Sequence, residues 1–393
     1  MALQPAAGAR DLNPRQVEGN RRVRLQLAEV YRLWGYREVD PPSIETLKTL
    51  AAGGGIASEE LVRLVADEPL GLRPELTASI ARAACTRMAE QPMPLRLWAD
   101  GNTFRSSLGE GGRQRVTQQI QSGVELLGEP SLSADVELMQ LLLAAAGALG
   151  LGPHHKPTLL IGHHGLLQAL LSSLSDAQRE AARTALTAYD QLTLAALPLE
   201  AEQHHLLRSV LQLRGRPEVV LPQLQQWLGP LPLLQALQEM LDLVAPTAQQ
   251  QGVTLQLDPS FEPHFNLYDG LVLKLVCQGD GVPVAVASGG RYDGLVGRFS
   301  TPQSLLTMPA AGVGFGFDVE QLRELLQGNR HDAAPQLVAY GRKEQRQAAM
   351  QAAQALHAQG RAAEVHSQPL ASKAEAEALA AMRGCSSLVW LAP

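Results

Sequence analysis

Cysteine is scarce in this chain. Three thiols (Cys85, Cys277 and Cys385) in 393 residues, with no C-x-x-C, are too few and too scattered for a disulfide framework or a zinc site. Positive charge is not in excess either: Lys+Arg 33 against Asp+Glu 39 leaves −6, which argues against a broad polybasic surface for nucleic acid. Residues 1–10 contain no apolar stretch of the kind a secretion signal needs, so a reducing, cytoplasmic compartment is expected. The longest apolar stretch, 138–151, carries Gln140 and two glycines and is too short to span a bilayer, so no membrane partner is expected. No Gly-Lys-Ser/Thr occurs and no G-x-G-x-x-G opens a helix after a strand, which removes the P-loop and dinucleotide classes.

What is present suits a folded protein of two or three domains: 45% of residues are hydrophobic and 18% charged. Val23, Leu27, Val30, Tyr31 and Trp34 recur at three-to-four spacing, predicting a helix over 21–34 that stops at Gly35. Strands are expected at 36–40, 96–98, 101–105 and 117–127, and a helix at 133–149. Residues 162–251 are rich in Leu, Ala and Gln and poor in β-branched residues. They read as a helical insertion, broken near Arg214-Gly215-Arg216-Pro217 and near Pro230 and Pro232. Strand character returns at 254–257, 271–277 and 283–287, followed by a helix at 318–326. The polar stretch 328–335 reads as a linker. Beyond it strands (336–340, 362–366, 387–391) alternate with helices (343–359, 373–382), implying a small α/β module with parallel pairing. Residues 1–327 and 335–393 are therefore expected to be separate domains.

Three clusters can carry chemistry. In Leu72-Arg73-Pro74-Glu75-Leu76-Thr77, an extended backbone would send Arg73, Glu75 and Thr77 to one side. In the stretch 119–126, Gln119, Gln121, Gly123 and Glu125 share one face, and the glycine leaves room for something to approach. Side by side, the two segments would make a floor of two carboxylates, an amide and a hydroxyl, suited to a small cationic ligand such as an ammonium or imidazole group. Taken alone, a strand polar on one face is more simply a solvated one. The third cluster is Ser288-Gly289-Gly290-Arg291-Tyr292-Asp293-Gly294 with Gly312-Val313-Gly314-Phe315-Gly316, whose glycines allow a ligand or another chain to lie close.

In this order the clusters resemble the catalytic core of histidyl-tRNA synthetase, from about Gly8 to Leu326. Leu72-Arg73-Pro74-Glu75 with Thr77 looks like that family's L-R-P-E-x-T, and Phe104-Arg105 like the start of motif 2. Gln121-x-Gly123-x-Glu125-x-x-Gly128 looks like its second strand, Gly289 to Gly294 like G-G-R-Y-D, and Gly312 to Gly316 like the start of motif 3. The resemblance implies an α+β, class II aminoacyl-tRNA synthetase-like fold: an antiparallel sheet with helices, a helical insertion and a small C-terminal α/β module, here resembling a truncated anticodon-binding domain. Four departures stand against the synthetase pattern. Val319 takes the place of the arginine expected after Gly316-Phe317-Asp318. The motif 2 loop is longer and reads Thr117-Gln118-Gln119 for R-E-F. Asn266-Leu267-Tyr268-Asp269-Gly270 stands for R-G-L-D-Y-Y, and the C-terminal module is short and weakly basic. A valine cannot neutralise a triphosphate, and losing one such clamp costs orders of magnitude in rate.

A synthetase-like core without synthetase chemistry is similar to the regulatory subunits of ATP phosphoribosyltransferase. That likeness implies a non-catalytic chain with no cofactor and no metal, acting in histidine biosynthesis. Its partner would be the short-form catalytic subunit in a hetero-oligomer, with self-association through the N-terminal helix and strand and L-histidine as effector. The implied histidine-binding residues are Glu75, Thr77, Arg105, Gln121 and Glu125, walled by Tyr268 and Tyr292. The alternative is a divergent histidyl-tRNA synthetase or another amino-acid-activating ligase. Blander readings apply elsewhere. Arg291 is as well explained by pairing Asp293 or a helix end. The pairs His154-His155, His163-His164 and His204-His205 are poor metal sites, since adjacent helical residues do not share a face. Cys85 reads as a small core residue, the leucine stripe of 221–243 as core or subunit interface, and Arg113 and Arg115 as members of a Gly-rich loop in which solvation and phosphate contact weigh equally.

Overall fold

Asn13 starts the first helix. Its side chain accepts the Gln16 amide at 3.0 Å, the Gln16 side chain accepts the Asn13 amide at 2.9 Å, and Pro14 sits at the first helical position. Helix α1 (Pro14–Leu33) therefore opens seven residues before the apolar periodicity that announced it. Gly35, at φ +81°, turns the chain out of it. The computed structural model describes residues 5–54, 56–109, 112–261, 267–301, 308–326 and 334–392. They fall into two units, Met1–Leu326 and Gln327–Pro393.

Strand β1 (Arg37–Glu38) follows α1. Next come β2 (Ile44–Thr46), α2 (Leu47–Gly53), β3 (Val62–Arg63) and β4 (Leu70–Leu72), whose strands pair antiparallel in the order β2-β4-β3. This small sheet has no legible signal, because two or three residues are too few to show a period. Helix α3 (Thr77–Thr86) leads to a long hairpin of β5 (Leu95–Leu108) and β6 (Gln114–Leu127). Their register is continuous from Leu95 opposite Leu127 to Leu108 opposite Gln114. The strands expected at 96–98 and 101–105 are thus one element, and Gly101 within it leaves space for the Arg73 guanidinium lying across it.

After α4 (Leu132–Ala148) comes β7 (Thr158–His163), which the sequence did not announce. The helical insertion follows as α5 (His164–Leu170), α6 (Asp176–Thr187), α7 (Gln191–Ala196), α8 (Ala201–Gln212), α9 (Pro217–Leu228) and α10 (Pro232–Gln251). Strands β8 (Thr254–Leu257), β9 (Leu271–Gln278) and β10 (Pro283–Arg291), helix α11 (Asp293–Phe299), strand β11 (Gly312–Asp318) and helix α12 (Val319–Leu326) complete the larger unit. The main sheet runs β1-β5-β6-β11-β10-β9-β7-β8. It is mixed rather than wholly antiparallel: β1 pairs parallel with β5, and β7 parallel with β8. Parallel neighbours need a crossover, which the helical insertion supplies for the second pair.

The sheet has two different faces. On one, Trp98, Val124, Leu126, Phe315 and Phe317 pack under Val23, Leu27 and Tyr31 of α1 and the leucines of α4, in a core that extends to Leu221, Leu224, Leu237 and Leu241. The leucine stripe of 221–243 therefore belongs largely to core. On the other face, Leu97, Ala99 and Leu127 pack under α3 and α11, and Cys85 is buried there as a small apolar residue.

The smaller unit contains β12 (Gln336–Tyr340), α13 (Arg346–Ala358), β13 (Ala363–Val365), α14 (Lys373–Arg383) and β14 (Ser387–Leu391). Its three strands are all parallel in the order β13-β12-β14, as the strand–helix alternation implied. A 3-10 turn over Lys343–Gln345 precedes α13. Most of the expected linker, 328–333, lies outside the described residues.

Leu138 is fully buried at the centre of the larger core. Leu138→Ala should therefore lower unfolding stability by about 2–5 kcal/mol. Urea denaturation followed by circular dichroism measures it, and a loss under 1 kcal/mol would mean the core relaxes around the change.

Candidate functional site

The expectation that 72–77 runs extended is wrong. Strand β4 ends at Leu72 and Thr77 opens α3. Helix formation wins because its first amides find acceptors. The Glu75 carboxylate accepts the Ala78 amide at 3.0 and 3.2 Å, and Gln121 Oε1 on β6 accepts the Leu76 amide at 3.1 Å. Arg73 is committed to backbone carbonyls instead. Only 3% exposed, it donates to the Asn102 carbonyl at 3.0 Å and the Pro41 carbonyl at 2.5 Å, so it clamps the backbone.

Register puts Arg105 of β5 and Thr117, Gln121, Gly123 and Glu125 of β6 on one face of the sheet, facing the start of α3. Glu125 is 2% exposed and receives a hydrogen bond from the Tyr292 hydroxyl. The Thr77 hydroxyl lies close enough to Glu75 and Glu125 to favour the ionised form of each. Burial pushes the Glu125 carboxyl up to about 8; the nearby charge of Glu75 adds to this, while the Thr77 and Tyr292 hydroxyls oppose it. Burial also raises Glu75, against the pull of the Ala78 amide, the Thr77 hydroxyl and, more weakly, Arg105. Tyr268 and Tyr292 are held above the usual phenol range, first by burial and then by the two carboxylates, and Arg105 acts the other way on Tyr268. All seven residues singled out from the sequence thus converge on one floor. Asn266 lies outside the described residues.

The alternating glycines of β11 find their reason here. A Cβ on Gly312 would overlap the Tyr292 ring, one on Gly314 the Glu125 carboxylate, and one on Gly316 the Gln121 amide. Tyr268 likewise lies over Gly290. Strands β10 and β11 act as a shelf on which neighbouring polar side chains lie flat.

The G-G-R-Y-D segment divides in role. Arg291 is structural: it bonds Asp135 at 3.0 Å, Asp293 at 3.1 Å and the Ser131 carbonyl at 3.3 Å, tying β10 to the start of α4. Asp293 also accepts the Gly312 amide at 3.0 Å, and Asp269 accepts the Gly294 amide at 2.6 Å. Tyr292 alone reaches the floor.

At the far end of the face Asp318 accepts the Glu320 and Gln321 amides at 3.0 Å each and meets Gln119 at 3.4 Å. Its role as a helix cap was missed, although an Asp two residues before the turn's first amides is the usual signal. Val319 is fully buried in the core under α1 and α4. Arg115 belongs to β6, opposite Ser107, and not to the loop. His163 caps α5, its Nδ1 accepting the Gly165 amide at 3.0 Å, and the His154 and His155 rings lie 3.7 Å apart. Among the described residues, no group of three or more His, Cys, Asp or Glu side chains gathers as a metal site would require, and no helix is long and apolar enough to cross a membrane.

The sequence model of histidyl-tRNA synthetase matches residues 8–322. The crystal structure of an ATP phosphoribosyltransferase regulatory subunit/histidyl-tRNA synthetase from Bacillus halodurans superposes with a TM-score of 0.82 at 25% identity, covering 100% of this chain and 99% of that one. Histidyl-tRNA synthetase from Nostoc sp. PCC 7120 shares the fold, with a TM-score of 0.80 at 18% identity over 100% of this chain and 92% of its own. Fold and floor together define a class II protein of the histidyl-tRNA synthetase type. Sequence relatives are more specific. Proteins named ATP phosphoribosyltransferase regulatory subunit from Synechococcus sp. (strain CC9902) and Prochlorococcus marinus (strain MIT 9313) are each 48% identical over the full length of both chains. The chain belongs to the ATP phosphoribosyltransferase regulatory subunit family.

The raised Glu125 has a consequence for stability. A carboxyl whose folded value lies above its unfolded value contributes stability that is whole below about 4.5 and lost as pH rises through about 8. Glu125→Gln, which stays neutral, should therefore gain on the parent protein by roughly 2–4 kcal/mol between pH 5 and pH 9. Urea midpoints at the two pH values measure the gain, and a difference that does not change with pH would show Glu125 to titrate normally.

Proposed function

We propose that this chain is the non-catalytic regulatory subunit of an ATP phosphoribosyltransferase. It enables the short-form catalytic subunit in the first step of histidine biosynthesis and makes that step sensitive to histidine. The observation that carries the reading is the pair of carboxylates, Glu75 and Glu125, bracketing the Thr77 hydroxyl on a glycine shelf. Together with the Gln121 amide and the Arg105 guanidinium, they suit a small molecule bearing both ammonium and carboxylate. The assembly is a cytoplasmic hetero-oligomer, in which this chain self-associates through α1 and β1. Val319 supports the absence of synthetase chemistry, since a buried apolar residue stands where the family places a phosphate-binding arginine.

A coupling of about 1–3 kcal/mol is enough for feedback, and charged contacts of about 1.5–3 kcal/mol each can supply it. Phosphoribosyl transfer by the short-form catalytic subunit, measured with and without this chain across a histidine titration, tests the reading. The chain should raise the rate and histidine should suppress it. Glu75→Gln/Glu125→Gln should keep the activation while shifting histidine inhibition at least about tenfold to higher concentration. No association and no change in rate would end the regulatory reading, and histidine-dependent pyrophosphate exchange by this chain alone would favour a ligase.

Proton uptake gives a second check. Burial pushes the Glu125 carboxyl up to about 8, which favours its protonated form at neutral pH. An ammonium group placed between the carboxylates favours the ionised form, so binding should release protons and strengthen as pH rises from 6.5 to 8. Titration calorimetry in two buffers of different ionisation enthalpy reads the release. Proton uptake on binding would place the cation elsewhere.

A further inference from the structure

The parallel sheet of the smaller unit has two edges of different character. At one, β13 is only three residues long and carries Glu364, which accepts a hydrogen bond from Arg383 at 2.9 Å. Shortness and charge are the usual protection of a strand edge. At the other, β14 reads Ser387-Leu388-Val389-Trp390-Leu391, with no charge, no proline and an unbroken register against β12. Leu388 and Trp390 pack on the α14 side of the sheet, and Val389 and Leu391 on the α13 side. All four are only half-buried, so a run of consecutive apolar residues keeps part of its surface in water. The backbone of β14 has a definite phase. The Leu391 carbonyl accepts the Gly341 amide at 3.2 Å, so the N–H and C=O groups of Ser387, Val389 and Leu391 face β12. Those of Leu388 and Trp390 face outward, where among the described residues no strand lies.

We propose that this edge pairs with the same edge of a second copy of the chain. Two β14 strands run antiparallel about a two-fold axis at Val389, which sets Leu388 of one copy opposite Trp390 of the other. The outward N–H and C=O groups of these two residues then bond each other across the axis, and Val389 faces Val389 as the close, non-hydrogen-bonded pair. Ser387 meets Leu391, so no like charges are brought together. The two parallel sheets become one continuous sheet, and the exposed parts of the four apolar side chains are covered. An edge built to choose a different protein needs side chains that select it, and β14 offers none with charge. Its backbone phase and its sequence are instead both compatible with two-fold symmetry about Val389, as a closed contact between copies requires. The contact belongs to the smaller unit alone. It is independent of the histidine floor and of self-association through α1 and β1, so either reading can fail without the other.

Analytical ultracentrifugation and disulfide trapping on the full chain test it. V389K sets two lysines face to face on the axis and should halve the mass of the parent assembly, whether that is a dimer or, with the α1 contact, a dimer of dimers. V389C brings two Cα atoms to about 4.5 Å, inside the range a disulfide spans, so mild oxidation should give a covalent dimer. S387C puts its two copies about 14 Å apart and should give no more dimer than the parent chain with its native Cys85, Cys277 and Cys385. V389C is a mild change and keeps the test sound if V389K folds poorly. A folded V389K of unchanged mass, or a V389C that cross-links no better than S387C, overturns the proposal.

Discussion

A carboxylate buried against a sheet sets the terms for the rest of this structure. Glu125 lies on β6 with no room above its neighbour unless that neighbour is glycine, and Gly314 is that residue. The same constraint repeats along β11, where Gly312 admits the Tyr292 ring and Gly316 the Gln121 amide. Three glycines in alternate positions weaken a strand by the entropy and packing they forgo. Here β11 tolerates them because it is central, with β6 on one side and β10 on the other, and because Val313, Phe315 and Phe317 pack its opposite face. One strand is thus half shelf and half core.

The polar side chains on the shelf are not free agents. Glu75 and Gln121 both complete the first turn of α3, so the residues proposed to hold a ligand also hold a helix. This double use pre-organises the floor, since acceptors bound to backbone amides cannot swing away. Arg291 does the same for Tyr292 at one remove, by fixing β10 to the start of α4 through Asp135. Within the G-G-R-Y-D segment, the arginine and the aspartate brace the fold while the tyrosine meets the carboxylate.

The departure at Val319 is also intelligible. The residue follows Asp318, which caps α12 with its carboxylate, and it opens that helix toward the core. A valine at such a position adds apolar burial to the core under α1 and α4.

By itself the sequence determined the helices with strong three-to-four periodicity, the alternating tail and the shared polar face of Gln121, Gly123 and Glu125, because these are local patterns that repeat along the chain. It also marked the seven floor residues, through motifs in a specific order. It did not reveal β7, the small β2-β4-β3 sheet or the parallel edges of the main sheet, which depend on pairing between distant segments. It misjudged 72–77, where an acceptor 45 residues away on β6 turned an apparent strand into a helix start. Only the tertiary structure decided that Arg73 clamps backbone while Glu75 faces a second carboxylate, and that each glycine of β11 lies beneath a side chain. Those relations arise from contacts across the sheet, and no local periodicity encodes them.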